Sequence, residues 1–456
     1  MASSSADFFA RVSASCQGDL ITQGTNSIES AAIIEEKCND IARRRYPTEA
    51  IRPVPFQGGC SYSLLAGDFK VLQYRLGTDF LDLDIIKQAR QVYADLVPNT
   101  EYLGSVEVIA VDLANPVSMN LYVHDRIGGV SLAQYRLESQ EKSQNRQYAD
   151  REALVRDFAR FVAKGCSQRV ESPPPSLGRV GSSLQHRLEI LRDRLPERFQ
   201  PFARSSLDHL REMKSTTSWV LTHGDVVPGN IMIDPQGPRI SGILDWAEAE
   251  WLPMGIQLYG LEEFLGESTG GDSSTQYPPP MSVFRYFADV QKLREAFWEE
   301  MDLCWAGALT STLHEDLAKY RVIGVLLWHG IAWDGGKLDR VVQEGIDDAE
   351  IQRLDLFLLG REAPQEDVVN RVNKISNNPK PKPKPIAIEG SEDSMLDDVL
   401  DDEDAEIFRQ ENPSEQKPSL GQARVSQVSE SREAGREKKH GFGRRLLNFM
   451  TCRGKL

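Results

Sequence analysis

At 456 residues the chain is well above the size at which burying a core is difficult, and its length suggests two or three domains. Fifty-three basic against 68 acidic side chains leave a formal charge of -15, which argues against a general nucleic-acid-binding role because phosphate backbones would be repelled. Hydrophobic residues at 40% and charged residues at 27% sit near the soluble average, while a mean hydropathy of -0.41 points to a long polar portion.

The cysteines, Cys16, Cys38, Cys60, Cys166, Cys304 and Cys452, form no CxxC pair and no metal-ligand spacing, as reduced thiols in a cytoplasmic setting would. No apolar run is long enough to span a bilayer, and residues 1–19 lack the charged-then-apolar order of a secretory leader. Asp7 and Asp19 weigh against a transit peptide. The expectation is a soluble, cytoplasmic protein.

Residues 1–52 read as a helical extension, with Ser27, Ile28, Ala31, Ile33, Ile34, Cys38 and Ile41 at near-helical spacing. Residues 53–127 read as a small lobe. Strands over 56–65 and 70–75 flank a turn at Gly67 and Asp68, a helix over 83–96 stops before Pro98, and strands over 102–113 and 119–127 end at Gly128 and Gly129. Residues 128–361 read as mostly helical, with patterning over 151–162, 184–195, 283–301 and 315–333. Pro173, Pro174 and Pro175 make a surface spacer, and 267–280 has the composition of a mobile insertion.

Residues 362–456 read as a disordered charged tail, with a Lys/Pro spacer over 378–386 and an acidic run over 389–406. The end of the tail is basic, with Phe442, Leu446, Leu447, Phe449 and Met450 set among Arg444, Arg445 and Arg453. Two readings stay open there: a solvated segment folding back on the acidic run, or a small helix in weak contact with a membrane surface or a protein.

The chemistry concentrates in residues 219–246. An apolar strand leads into a tight loop bearing His223, Asp225 and Asn230, a second apolar strand follows, and a third ends on Asp245 and Trp246. Alone, each polar residue is loop punctuation, or for Asp245 a helix cap. Together they are the set phosphoryl transfer needs, since that chemistry is mainly positioning and charge neutralisation. One carboxylate accepts a hydroxyl proton, while an Asn and a second Asp offer the hard oxygens that suit Mg²⁺.

With His223, Gly224, Asp225 and Asn230, and with Asp245 and Trp246, the sequence resembles the aminoglycoside phosphotransferase family. That family is a branch of the protein-kinase-like fold that also includes choline-kinase-like enzymes. The resemblance covers roughly residues 53–359. It implies an α+β, two-lobed fold with a small antiparallel-sheet lobe and a mostly helical lobe. It also implies ATP-dependent transfer of the γ-phosphate to a hydroxyl of a small molecule. By the same resemblance Asp225 is the catalytic base, Asn230 and Asp245 hold Mg²⁺, and His223 braces the loop. Gly58, Gly59 and Ser61 lie where a glycine-rich hairpin covers the phosphates, and Asp125 and Ile127 lie in the hinge that meets the adenine.

One departure stands out. Gln73 occupies the strand position where such folds carry a phosphate-gripping Lys, and the helix that supplies its Glu partner reads Ile85, Ile86, Lys87, Gln88, Ala89, Arg90. Gln73 and Gln88 could form a neutral substitute, Arg75 or Lys87 could supply the charge, or nucleotide affinity could be weakened. A second function class follows from the last option: a nucleotide-binding pseudokinase acting as a scaffold through its tail. Glu248, Glu250, Glu262 and Glu263 could meet a cationic acceptor or form a solvated face. His329, between Trp328 and Trp333, reads as core packing on an apolar helix.

Overall fold

The computed structural model describes residues 8, 26–55, 57–58, 60–77, 79–108, 117–212, 218–234, 236–269, 283–334 and 337–361. Gly59, most of the expected insertion over 267–280 and the whole charged tail lie outside the described residues. The chain divides into two compact units, Met1–Pro379 and Lys380–Leu456.

Helix α1 (Asn26–Arg45) ends on Arg43, Arg44 and Arg45, cations that suit the negative end of the helix dipole. Its buried residues Ile34, Cys38 and Ala42 recur every four positions and so line one face. There follow β1 (Ile51–Pro53), β2 (Ser61–Ala66), β3 (Lys70–Leu76), α2 (Leu83–Tyr93), β4 (Thr100–Val108) and β5 (Val117–Asp125). The five strands form one antiparallel sheet in the order β1-β2-β3-β5-β4. Strand β1 was not foreseen; it lies at the sheet edge, where Pro53 costs no ladder bond. Asp82 caps α2, its carboxylate accepting the Asp84 and Ile85 N–H groups at 3.0 and 3.1 Å.

Alternation along the strands gives the sheet two different faces. Tyr62, Leu64, Leu72, Tyr74, Met119, Leu121 and Val123 pack with Ile34, Cys38 and Ala42 of α1 in a small core. Registers Ser61↔Arg75, Ser63↔Gln73, Gln73↔Tyr122 and Val71↔His124 place those residues on the other face, turned toward the helical lobe.

The chain then crosses through residues 126–129 into β6 (Val130–Ser131), α3 (Leu132–Ser139), α4 (Gln144–Ser167), α5 (Leu184–Arg194) and α6 (Gln200–Glu212). Strands β7 (Trp219–Thr222), β8 (Ile231–Asp234), β9 (Arg239–Ile243) and β10 (Glu250–Pro253) follow. They form two small sheets, β6-β8-β9 and β7-β10. The rest is α7 (Glu262–Leu265), β11 (Gly266–Thr269), β12 (Val283–Tyr286), α8 (Val290–Cys304), α9 (Ser311–His329), β13 (Ile331–Asp334), β14 (Lys337–Val341) and α10 (Asp348–Leu359).

Two helical expectations are corrected. Residues 283–286 begin the segment read as helix 283–301, yet they pair as a strand with β11, with Phe284 buried. Short apolar runs fit either period, and pairing decided here. The helix expected over 315–333 stops at His329, because Gly330 interrupts it and Ile331 opens a hairpin with β14. Among the described residues no helix is long and apolar enough to cross a membrane.

Candidate active site

The loop between β7 and β8 is shaped before any of its polar groups is considered. The Tyr93 hydroxyl donates to the Leu221 carbonyl from α2, and the Thr222 hydroxyl donates to the Glu250 carbonyl at 2.9 Å, so the end of β7 is fixed from two sides. Gly224 then turns the chain with φ of +83°, and a Cβ there would lie 2.1 Å from the Glu248 carbonyl oxygen. Only glycine meets both conditions.

His223 is fully buried. Its Nδ1 accepts the Asp225 backbone N–H at 3.1 Å, which leaves the proton on Nε2 to be donated to the Leu244 carbonyl at 2.8 Å. Burial pushes this imidazole down to about 4, against the opposing pull of the Leu244 carbonyl and Asp245. A neutral ring therefore ties the loop of Asp225 to the strand end before Asp245, with Trp246 packed edge-on at 4.6 Å. The tie acts through the Asp225 N–H and the Leu244 carbonyl, both backbone groups.

Asn230 donates from Nδ2 to Asp225 Oδ2 at 2.8 Å and to the Asp225 carbonyl at 3.1 Å. Burial, and then the neighbouring charges of Asp245 and Glu248, push the Asp225 carboxyl up to about 8 despite the Asn230 bond. Asp245 has φ of +59° and ψ of 71°, a left-handed conformation rare outside glycine, and its side chain makes no capping bond to the short helical turn that follows. The helix-cap reading of Asp245 therefore fails, and the strain is of the kind that collects at functional sites.

On the sheet face turned toward the helical lobe, Gln73 donates to Ser61 Oγ at 3.1 Å. Gln88 accepts instead from Trp251 Nε1 at 3.0 Å, so the two glutamines form no pair, and Lys87 stays exposed on α2. Arg75 is the cation that reaches the site. It is 4% exposed and donates to Asp245 Oδ1 at 3.3 Å. Gln57 binds the Ser63 backbone twice at 2.8 Å, which folds the loop containing Gly58 against β2.

At the hinge, Asp125 pairs with Lys70 at 2.6 Å and spends its backbone N–H on the Asn99 carbonyl at 2.9 Å. That donor is committed within the sheet. Ile127 covers Gly242, where a Cβ would lie 2.3 Å from Ile127 Cδ1, and the Ser241 hydroxyl donates to the Gly128 carbonyl at 2.7 Å. The hinge thus docks on β9, the strand that leads to Asp245.

Three of the four acids considered for a cationic acceptor are engaged inside the fold. Glu250 accepts the Val180 and Gly181 N–H groups at 2.9 and 2.7 Å. Glu262 is fully buried and meets Arg294, Arg321 and Tyr286, while Glu263 pairs with buried Arg353 at 2.9 Å. Glu248 alone stays exposed beside the loop.

Among the described residues no group of three or more His, Cys, Asp or Glu side chains gathers to hold a metal. The donors present suit a different arrangement. With the Asn230 amide nitrogen committed to Asp225, its amide oxygen and the half-exposed Asp245 carboxylate are hard ligands, and Mg²⁺ needs only one or two such groups when phosphates and water complete its shell.

Residues 87–261 match the phosphotransferase enzyme family. The matched segment contains His223, Asp225, Asn230 and Asp245, and it begins after Gly58, Ser61, Gln73 and Arg75. No curated protein matches the chain. Solved structures similar to it include an aminoglycoside phosphotransferase from Streptomyces rimosus (13% identity, 64% of this chain and 99% of that one, TM-score 0.36). A choline kinase from Streptococcus pneumoniae is 12% identical, with 72% of this chain and 98% of that one aligned and a TM-score of 0.41. At these values the overlaps carry no argument about nucleotide or acceptor. Family match, antiparallel sheet and helical lobe agree with the two-lobed, protein-kinase-like fold expected from the sequence.

Sequence reasoning missed Tyr93, Tyr259 and Ser241. Tyr259 accepts the Val226 N–H at 2.9 Å, and all three act on backbone groups from remote elements, leaving no local signature. For Arg75 a signal existed: alternation along β3 puts it on the same face as Gln73.

Proposed function

We propose that this protein is a cytoplasmic phosphotransferase that moves the γ-phosphate of ATP to a hydroxyl of a small molecule. The observation that carries the reading is the joining of Asp225 to Asn230 at 2.8 Å beside the left-handed, uncapped Asp245. Asp225 would take the proton from the acceptor hydroxyl as the new P–O bond forms and the bridging P–O bond to the departing ADP breaks, and Asn230 would hold that carboxylate in place. Asn230 and Asp245 would hold Mg²⁺, which when bound offsets phosphate charge. The Gly58 and Ser61 end of β2 would lie over the phosphates, and the segment of Asp125 and Ile127 beside the base. For an acceptor with a cationic group, Glu248 is the exposed acid placed to meet it.

The test is nucleotide-dependent phosphorylation across a panel of hydroxylated amines, sugars and amino alcohols. With an acceptor in hand, Asp225→Asn should lower turnover about 10² to 10⁴-fold. Unchanged turnover in that variant would rule out the assigned base. A pseudokinase scaffold is the second reading, favoured by Gln73 in the lysine position. It would show thermal stabilisation by ATP and Mg²⁺ with no phosphate transfer to any acceptor and no ATP hydrolysis.

A further inference from the structure

We propose that Arg75 is the cation that receives the nucleotide's phosphates, and that its bond to Asp245 is a resting contact which those phosphates replace. This rests on the phosphotransferase reading above and assigns the charge that Gln73 lacks.

Position is the first argument. Gln73 and Arg75 share the cleft-facing side of β3, and the register pairs Arg75 directly with Ser61, the first residue of β2 after the Gly58 loop. Moving from residue 73 to residue 75 carries the charge about 6.8 Å along the strand. That is toward the loop end, where backbone N–H groups would meet phosphate oxygens. From there the guanidinium spans to Asp245 on the opposite lobe. A group lying between the hairpin and Asp245 lies where phosphates held by both must lie.

The second argument is electrostatic. Arg75 is 4% exposed, and its ion pair is a single 3.3 Å contact to a carboxylate that is itself 38% exposed. A buried guanidinium ordinarily requires closer, two-pronged pairing to offset its lost hydration. The rest of its bonding is to neutral oxygens, the Asp79 carbonyl at 2.9 Å and Gln73 Oε1 at 3.4 Å. Those bonds fix the orientation of the fork without neutralising it. Asp245 pairs with it and Glu248 lies close enough to feel both Arg75 and Arg179, but of these two cations it is Arg75 that reaches Asp245. Arg is also the side chain whose planar fork binds phosphate through two parallel bonds.

Had Arg75 been only a strut between lobes, its loss would affect every ligand of the cleft alike. The assignment predicts discrimination by phosphate. Calorimetric titration of the full chain with ATP, ADP and adenosine, all with Mg²⁺, makes that comparison for the wild type, Arg75→Gln and Arg75→Lys. Arg75→Gln should weaken ATP and ADP about 10- to 100-fold and leave adenosine within about twofold. Arg75→Lys, which keeps the charge and loses the fork, should fall between. Equal losses for ATP and adenosine, or unchanged ATP affinity, would overturn the assignment. If Arg75→Gln does not fold, Arg75→Lys decides: a several-fold loss confined to ATP and ADP supports the role, and wild-type affinity for both overturns it. A wild type that binds no nucleotide overturns the phosphotransferase reading together with this one, which separates the two failures.

Discussion

Asp225 shows how one residue's surroundings set a working range. Burial is the largest cause of its raised value of about 8, followed by the charges of Asp245 and Glu248, with the Asn230 bond acting the other way. A base must be unprotonated to accept a proton, so kcat/KM, which reports the free enzyme, should fall about tenfold per pH unit below about 8 and level off above it. His223, held near 4, stays neutral across that window and adds no second limb. A flat profile from pH ~6 to ~8 would show that Asp225 is not the group being titrated. The shift also acts on folding. An acid whose folded value lies above its unfolded value of about 4 stabilises the folded chain at low pH, and that contribution is lost as pH rises through about 8. Asp225→Asn should therefore melt higher than the wild type above pH ~8 in the absence of ligand, measurable by calorimetry.

At the scale of elements, what was legible in the sequence was what is local. The loop of His223, Asp225 and Asn230 could be read because its strands, its glycine and its polar groups fall within one short stretch. The acids of α7 could not, because their partners are remote: Glu262 meets Tyr286 on β12, Arg294 on α8 and Arg321 on α9, which are 24, 32 and 59 residues away. Neither a cationic-substrate site nor a solvated face describes it. Burial alone would raise the Glu262 carboxyl, but Arg321 and Arg294 outweigh burial and bring it down to about 2. Its folded value is depressed, so the stability it contributes is present above the unfolded value of about 4.3 and is lost as pH falls toward about 2. Glu262→Gln leaves the part-buried guanidinium groups of Arg294 and Arg321 short of a charge partner and should cost about 3 kcal/mol near neutral pH. In denaturant unfolding the gap from the wild type should narrow as pH drops toward about 2. Equal stability at pH 7 would mean that α7, α8 and α9 are joined by apolar packing alone. The strand over Val283–Tyr286 was hidden for the same reason as the Glu262 cluster, since its pairing partner β11 lies across an intervening segment.

For the molecule as a whole, the division into cores does not follow the division into lobes. The small core joins α1 to the outer face of the sheet, through Ile34, Cys38, Tyr62, Tyr74 and their neighbours. Helix α2 comes from the same stretch of chain as the sheet, yet Ile86, Ala89 and Tyr93 belong to the large core of the helical lobe. Tyr93 stacks on Phe161 of α4 at 4.4 Å between ring centres and lies 5.3 Å from Trp246, while Gln88 is bonded to Trp251 of β10. A motion that opened the cleft by carrying α2 away with the sheet would break each of these contacts and strand the Leu221 carbonyl without the Tyr93 hydroxyl. The alternative opening leaves α2 on the helical lobe and moves the sheet with α1, parting Arg75 from Asp245 and Tyr122 of β5 from the Leu81 N–H. Native-state hydrogen exchange reads this directly, because segments that open together exchange together. The amides of Ile86, Ala89 and Tyr93 should exchange with those of Phe158, Phe161 and Val162 on α4, and more slowly than the amides of β1, β2 and α1. Nucleotide with Mg²⁺ should slow the sheet more than α2, since the sheet is the part it would hold closed. If α2 instead exchanges as one unit with β2 and β3, the lobes part along the chain's own boundary and the shared core does not hold them.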